Sequence, residues 1–273
     1  MSTKRFIHKI HDTLITQRMR LYEADRLGQT SMVFSPHQDD ETLGCGGTIL
    51  RKKQAGAELQ IVFMTDGCSS HAHLMLETEL RAIRMQEAIA AAQMLGVEQE
   101  NVLFLGFKDG TLHQQRERAI EKVSNLLQGY RPQEIFIPYY REAPSDHSVT
   151  TWIVLSALKA HPLNVTIYEY PIWFWRHFPI ISLTGNLREN LSVLKNSVIS
   201  ANFGLNLLTD FQCAMYIEDL LEIKRAALEK HRSQMQRLLS TPAWQTLEDV
   251  SRGEFLECFF QRYEIFRRYI VSQ

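Results

Sequence analysis

Apolar residues in this chain follow two alternating patterns: short unbroken runs, and longer stretches in which they recur every three or four positions. The runs at residues 32–35, 59–64, 102–105, 135–138 and 165–168 are too short for buried helices and end near turn-forming residues, so they predict five strands. The periodic stretches between them predict four helices. One is opened by the glycines 44–47 and ends near Gly56, one covers 77–95 and is closed by Gly96, and the others cover 114–127 and 150–158. Repeated strand–helix units predict an α/β fold, a Rossmann-like doubly wound and mostly parallel sheet with helices on both faces. Right-handed crossovers give the strand order 3-2-1-4-5, which leaves a crevice at the carboxyl ends of the first and fourth strands.

The flanks read differently. Ile7, Ile10, Leu14, Ile15 and Met19 recur at helical spacing within residues 1–29, which predicts an amphipathic N-terminal helix docked on its own protein. The N-terminus has no unbroken apolar core of signal-peptide length. No stretch reaches the ~20 apolar residues of a membrane span. Beyond the fifth strand, residues 191–217 predict short strands in a small additional sheet over the pocket, 219–239 a helix, and 254–270 a final helix after Gly253. No Pro-, Gly- or Ser-rich linker divides the chain, so the expected organisation is one domain over 1–273, with a core at 31–169 and a C-terminal β/α extension at 170–273. Thirty basic against thirty-one acidic side chains give a formal charge of −1, which argues against a nucleic-acid partner. Cys45, Cys68, Cys213 and Cys258 form no Cys-x-x-Cys element, and the expectation is a reducing, cytoplasmic location.

One stretch is a poor way to end a strand for stability alone. In Phe34-Ser35-Pro36-His37-Gln38-Asp39-Asp40-Glu41, an imidazole and three carboxylates appear at the mouth of the expected crevice. His37 and Asp40 stand three apart and point the same way in a tight turn or first helical turn, while Asp39 projects elsewhere. Two side chains can take one ion and the third stays free, which suits a metal with a carboxylate beside its water. The plainer alternative is an acidic loop with a helix cap. The topology offers a test, because Asp146 and His147 follow the fourth strand and converge on the same crevice. His147 is then the third ligand, and Asp146 a partner that orients a ring.

The first of these segments resembles the Pro-His-Pro-Asp-Asp-Glu signature of the LmbE-like, or PIG-L-type, zinc-dependent N-deacetylases, with Gln38 in place of the second proline. The run Leu43-Gly44-Cys45-Gly46-Gly47-Thr48-Ile49 follows in family order, then Met64-Thr65-Asp66-Gly67, Arg84-Met85-Gln86-Glu87, Leu105-Gly106-Phe107-Lys108-Asp109-Gly110 and Pro144-Ser145-Asp146-His147. The resemblance spans residues 31–150 and implies an enzyme that removes the acetyl group from an N-acetylglucosamine-type substrate, free or within a glycoconjugate. It implies Zn²⁺ on His37, Asp40 and His147, with Fe²⁺ as the alternative for this N/O set, and Asp39 as general base.

Many relatives carry a histidine three before the last zinc histidine, where this chain has Pro144. Glu142, Tyr139, Tyr140, a proton returned by Asp39, or His231 could take its role. Lys224, Ala227, His231 and Gln234 resemble a helix near the family's end. Arg84, paired with Glu87 or reaching the sugar, and Asp109 are candidate substrate-binding residues. His71 and His73 more plausibly edge the crevice in solvent than bind metal, and the aromatic run 170–175 suits either sugar stacking or packing under a loop. Two other readings stay open: a metal- or sugar-binding relative that has lost catalysis, which Pro144 favours, and a nucleotide binder without metal, which His37 and Asp40 disfavour. The sequence leaves the oligomeric state open, a homo-oligomer included.

Overall fold

The computed structural model describes residues 19–142, 145–177, 180–183, 187–199, 202 and 205–272. Five parallel strands form its centre: β2 (Ser31–Ser35), β3 (Leu59–Thr65), β4 (Val102–Phe107), β5 (Glu134–Pro138) and β6 (Val165–Tyr170). They lie in the order β4-β3-β2-β5-β6, the expected 3-2-1-4-5. Each run reads as unbroken apolar sequence because alternate side chains serve opposite layers. Val33, Ile61, Phe63, Phe136 and Tyr168 pack on one face, and Met32, Phe34, Val62, Ile135 and Ile167 on the other. Helices α1 (Asp40–Gln54) and α2 (Glu77–Met94) cover the first face through Leu43, Ile49, Ala88 and Ala92. Helices α3 (Arg116–Tyr130) and α4 (Ser145–Ala160) cover the second through Val123, Leu127, Ile153 and Ala157.

Three further strands extend the sheet to eight. β8 (Tyr263–Val271) runs antiparallel to β6, β7 (Cys213–Tyr216) runs antiparallel to β8, and β1 (Arg20–Leu21) pairs parallel to β7. Here the sequence expectations need correction. Residues expected as a final helix over 254–270 form only the short helix α9 (Glu254–Glu257) before β8. The stretch is rich in aromatic and β-branched residues, and Phe266 fills the edge-on space against Phe136 and Tyr168, at centroid distances of 5.6 and 5.8 Å. Residues 191–217, expected as short strands, give α5 (Leu187–Ile199), α6 (Leu205–Thr209) and β7. The helix expected over 219–239 breaks at His231 into α7 (Leu221–Leu228) and α8 (Arg232–Met235). Most of the N-terminal helix expected over 1–29 lies outside the described residues; the described part holds β1 and a 3₁₀ turn, Ala24–Arg26.

The glycines 44–47 do not open α1, which starts at Asp40, but sit inside it. A methyl group on Gly44 would overlap the Tyr170 ring, and one on Gly47 would overlap Ile217, so their absence of side chain lets α1 lie against β6 and the segment after β7. At the opposite end of the strands, wholly buried Glu134 accepts from Lys52 at 2.7 Å, Arg26 at 2.9 Å, Tyr168 at 3.1 Å and the Tyr22 hydroxyl. That network ties residues 22–26 to the base of the core.

Candidate metal centre

The β2–α1 turn and the first turn of α4 meet above the carboxyl ends of β2 and β5, where the strand order reverses. Pro36 ends β2, and its carbonyl accepts from Thr65 N–H at 3.1 Å and Thr65 Oγ1 at 2.8 Å, which fixes the turn to β3. Gln38 donates to Thr65 O at 3.0 Å, so its side chain is spent on this anchor. His37 N–H donates to Asp40 Oδ2 at 3.0 Å. Asp39, the N-cap of α1, has φ 140° and ψ −28°, a backbone conformation that non-glycine residues rarely adopt.

His37 Nδ1 and His147 Nε2 each lie 3.3 Å from Asp40 Oδ2. The donor atoms of the three residues all fall within 4.8 Å of one another. Tetrahedral zinc with N and O ligands separates neighbouring donor atoms by about 3.3–3.5 Å. The two measured separations fit that edge length. His147 is wholly buried, yet neither ring nitrogen has a hydrogen-bond partner among the described residues. An orphaned imidazole facing a carboxylate and a second imidazole is a donor set in want of a cation. The set suits zinc or iron(II) better than magnesium or calcium, which prefer oxygen.

The electrostatics agree. Burial pushes the His147 ring down to about 4, so at neutral pH it presents a bare nitrogen. Burial would also lower His37, but hydrogen bonds to Asp109, Asp146 and Asp40 outweigh it and hold the ring well above the usual histidine range. Burial raises Asp40, but the two imidazoles outweigh that and hold it below the usual carboxylate range. Asp39 is the contrast: burial first, then neighbouring Asp40 and Glu41, push its carboxyl well up.

The other expected residues fall into place around this centre. Asp109 Oδ1 lies 3.1 Å from His37 Nε2, with Ser69 N–H donating to its Oδ2 at 2.8 Å. It therefore backs the His37 ring and also lines the cavity. Asp146 Oδ2 accepts from Gly110 N–H at 2.7 Å and stands 3.8 Å from His37 Nε2. Arg84 is buried; it donates to Gly67 O and to Ser70 Oγ at 2.9 Å and faces His71 Nδ1 at 3.3 Å, while Glu87 instead accepts from Ser233. His71, expected in solvent, is buried and stacks on Trp244 at 4.2 Å, with Nε2 3.0 Å from Gln245 O.

His231 is wholly buried and does not line the cavity. Its Nε2 lies 3.1 Å from Glu41 Oε1, and Glu41 Oε2 accepts the Asp39 N–H at 3.0 Å, so it stands one layer behind Asp39 rather than beside a reacting group. Glu142 accepts three backbone N–H groups, from Ile172, Trp173 and Phe174, and Tyr139 donates to Asp210 at 2.6 Å. Pro144 lies outside the described residues. Sequence reasoning named Gln234 only for its helix; its amide donates to Asp39 Oδ2 across 195 positions, which no local pattern signals.

A cavity of about 420 Å³ opens over these groups. His37, Asp39, Asp40 and Asp109 form its floor; Ile172, Trp173, Leu247, Val250 and Phe255 supply apolar lining, and Ser70, Arg84, Gln245 and Thr246 polar lining.

A family model described as PIG-L, GlcNAc-PI de-N-acetylase, matches residues 32–158. A Bacillus anthracis protein described as probable N-acetyl-alpha-D-glucosaminyl L-malate deacetylase 2 is 29% identical over 150 residues, covering 52% of this chain and 65% of that protein, just under two thirds of its length. The family-model similarity, over just under half of the chain, is to the PIG-L/LmbE-like deacetylase family. Among solved structures, the N,N'-diacetylchitobiose deacetylase of Pyrococcus horikoshii shares the fold over 98% of this chain and 93% of its own, with TM-score 0.59 and 22% identity. The PIG-L-type fold alone does not choose the reaction. GalB, the 4-carboxy-2-hydroxymuconate hydratase of Pseudomonas putida KT2440, superposes with TM-score 0.55 at 14% identity over 84% of both chains.

Proposed function

We propose that the chain is a zinc-dependent hydrolase that removes the acetyl group from an N-acetylglucosamine-type amino sugar. The observation that carries this reading is the trio His37, Asp40 and His147, with both imidazoles at a tetrahedral edge separation from Asp40 and the carboxylate of Asp39 beside them on the cavity floor. Zinc bound there would supply Lewis acidity, lowering the pKa of a water to ~7 and polarising the amide carbonyl. The chain's own residues do the rest. His37, Asp40 and His147 hold the ion, and Asp109 keeps the His37 ring turned toward it. Asp39, whose carboxyl burial and then neighbouring Asp40 and Glu41 push well above the usual carboxylate range, takes a proton from the attacking water.

The leaving amine needs that proton back. His231, Glu142, Tyr139 and Tyr140 do not line the cavity and Asp39 does, so Asp39 returns it; water and amide thus become acetate and free amine. The names of the B. anthracis and P. horikoshii proteins both support an N-acetylated glucosamine unit as substrate. A cavity with both apolar and polar lining suits a pyranose, whose faces are apolar and whose edges are hydroxylated. Acetate release from a panel of N-acetylated sugars, with and without chelator, tests the reading. Asp39→Asn should keep its zinc and lose about 10²–10⁴-fold in turnover. A zinc-loaded chain silent across the panel would favour a binding relative that has lost catalysis.

A further inference from the structure

Helix α5 is built inside out. Among its described side chains Val193, Asn196 and Ser197 are the buried ones, while Leu187, Leu191, Leu194 and Val198 stand 75, 56, 39 and 55% exposed. Those four are spaced by four, three and four residues, which lines them along one face. A helix on a water-solvated domain turns its leucines inward. Seven of the fifteen large apolar side chains exposed among the described residues fall within positions 183–208, Leu183, Leu205 and Leu208 being the others. Apolar surface scattered singly needs no explanation, but this concentration marks a surface that meets something.

The charge on the face says what. Arg188 and Lys195 are exposed beside the stripe. The one acidic residue in 183–208, Glu189, is half-buried and turned to Arg176 at 4.0 Å. A symmetric contact with a second copy would set these cations against each other with no exposed carboxylate of the segment to answer them. Residues 1–18 are no better complement, since Lys4, Arg5, Lys9 and Arg18 stand there against Asp12 alone. An acidic polymer would answer the cations and leave the leucines in water. Anionic headgroups above acyl chains answer both.

We propose that the outward face of α5 docks on an anionic lipid membrane, lying in its surface; no described helix is long and apolar enough to cross one. The face is close to the cavity, because Glu189 meets Arg176 and the Arg176 guanidinium lies 5.9 Å over the ring of Trp173, which lines the cavity. The docking does not depend on the reaction assigned above. It is tested by co-sedimenting the full chain with vesicles of phosphatidylcholine, alone or mixed with phosphatidylglycerol. Binding should be roughly tenfold or more tighter to the mixed vesicles and should weaken with salt. Arg188→Glu/Lys195→Glu should erase that preference, and Leu191→Gln/Val198→Gln should weaken binding to both vesicles, with circular dichroism and Tm showing each variant folded. Absent or salt-insensitive binding, or binding unchanged by both double substitutions, overturns the proposal. So does a wild-type oligomer that Leu191→Gln/Val198→Gln dissolves, which would make the face an interface between copies.

Discussion

Replacing Asp109 with alanine removes the acceptor 3.1 Å from His37 Nε2 and leaves Asp146 Oδ2, at 3.8 Å, as the carboxylate still facing that nitrogen. Loss of such a partner behind a metal-facing histidine lowers metal affinity about 10–100-fold, about 1.4–2.8 kcal/mol. Asp109→Ala should fall at the upper end, because it takes away both the charge and the oxygen that fixes the ring. Asp109→Asn keeps an oxygen in place and should lose only about tenfold. The pH dependence carries the sign. Below the raised pKa of His37, a metal must displace a proton from the ring, so affinity climbs about tenfold per pH unit and levels off once the ring is neutral. Burial works against the charged ring and Asp109 leads the carboxylates that favour it, so Asp109→Ala should move the levelling-off to lower pH. Competition for zinc against a chromophoric chelator, repeated across pH, reads both effects. If Asp109→Ala binds zinc within about threefold of wild type, with an unshifted profile and only a raised KM, Asp109 is a substrate contact and its role behind His37 is refuted.

Two predictions concern the frame that holds the site. Gly47→Ala would drive a methyl group into Ile217, while the Gly47 N–H bond to Glu264 Oε1 at 2.7 Å hinders α1 from backing away. Overpacking costs about 1–3 kcal/mol and alanine's helix preference returns about 1, so urea unfolding should show a net loss of up to about 2 kcal/mol; a net gain in stability would mean α1 is free to move. Lys52→Met should cost about 3–5 kcal/mol by leaving Glu134 short of a buried counter-charge, and adding Glu134→Gln should recover much of it. A single-variant loss below about 1 kcal/mol would show that Arg26 suffices.

The five central strands and their order were legible because four of the runs are buried along nearly their whole length, the fifth is an apolar edge strand, and all are bounded by turn residues, so local pattern and global layer agree. The trio was legible for the same reason: strand order alone brings residues after β2 and β5 together. The extension was misread where a local signal was ambiguous. Residues 263–271 fit a helical stripe as well as a strand, and only the open edge beside β6 decides for β8. The glycines of α1 signalled a helix start by composition, but their reason is distant, in Tyr170 and Ile217. Asp109 was expected to touch substrate because it follows a strand end; its pairing with His37 across 72 positions depends on how the loops after β2 and β4 fold over one another.

Asp39 joins the legible half of the protein to the other. With φ at 140°, it occupies a conformation that costs about 1–3 kcal/mol for a residue with a side chain. Its N–H is held by Glu41, which in turn accepts from Thr42 Oγ1 at 2.7 Å and faces His231 Nε2 at 3.1 Å, and its carboxylate is held by Gln234. The strain has a geometric purpose: Asp40 can begin the helix facing His37 and His147 while the preceding carboxylate turns to the cavity. The outer supports are His231, in the break between α7 and α8, and Gln234, within α8, about which the motif at 36–41 says nothing. His231 therefore supports the proposed base without lining the cavity. The core strands bring the three candidate ligands together, and the C-terminal extension, reaching back 190 positions, sets the attitude of Asp39.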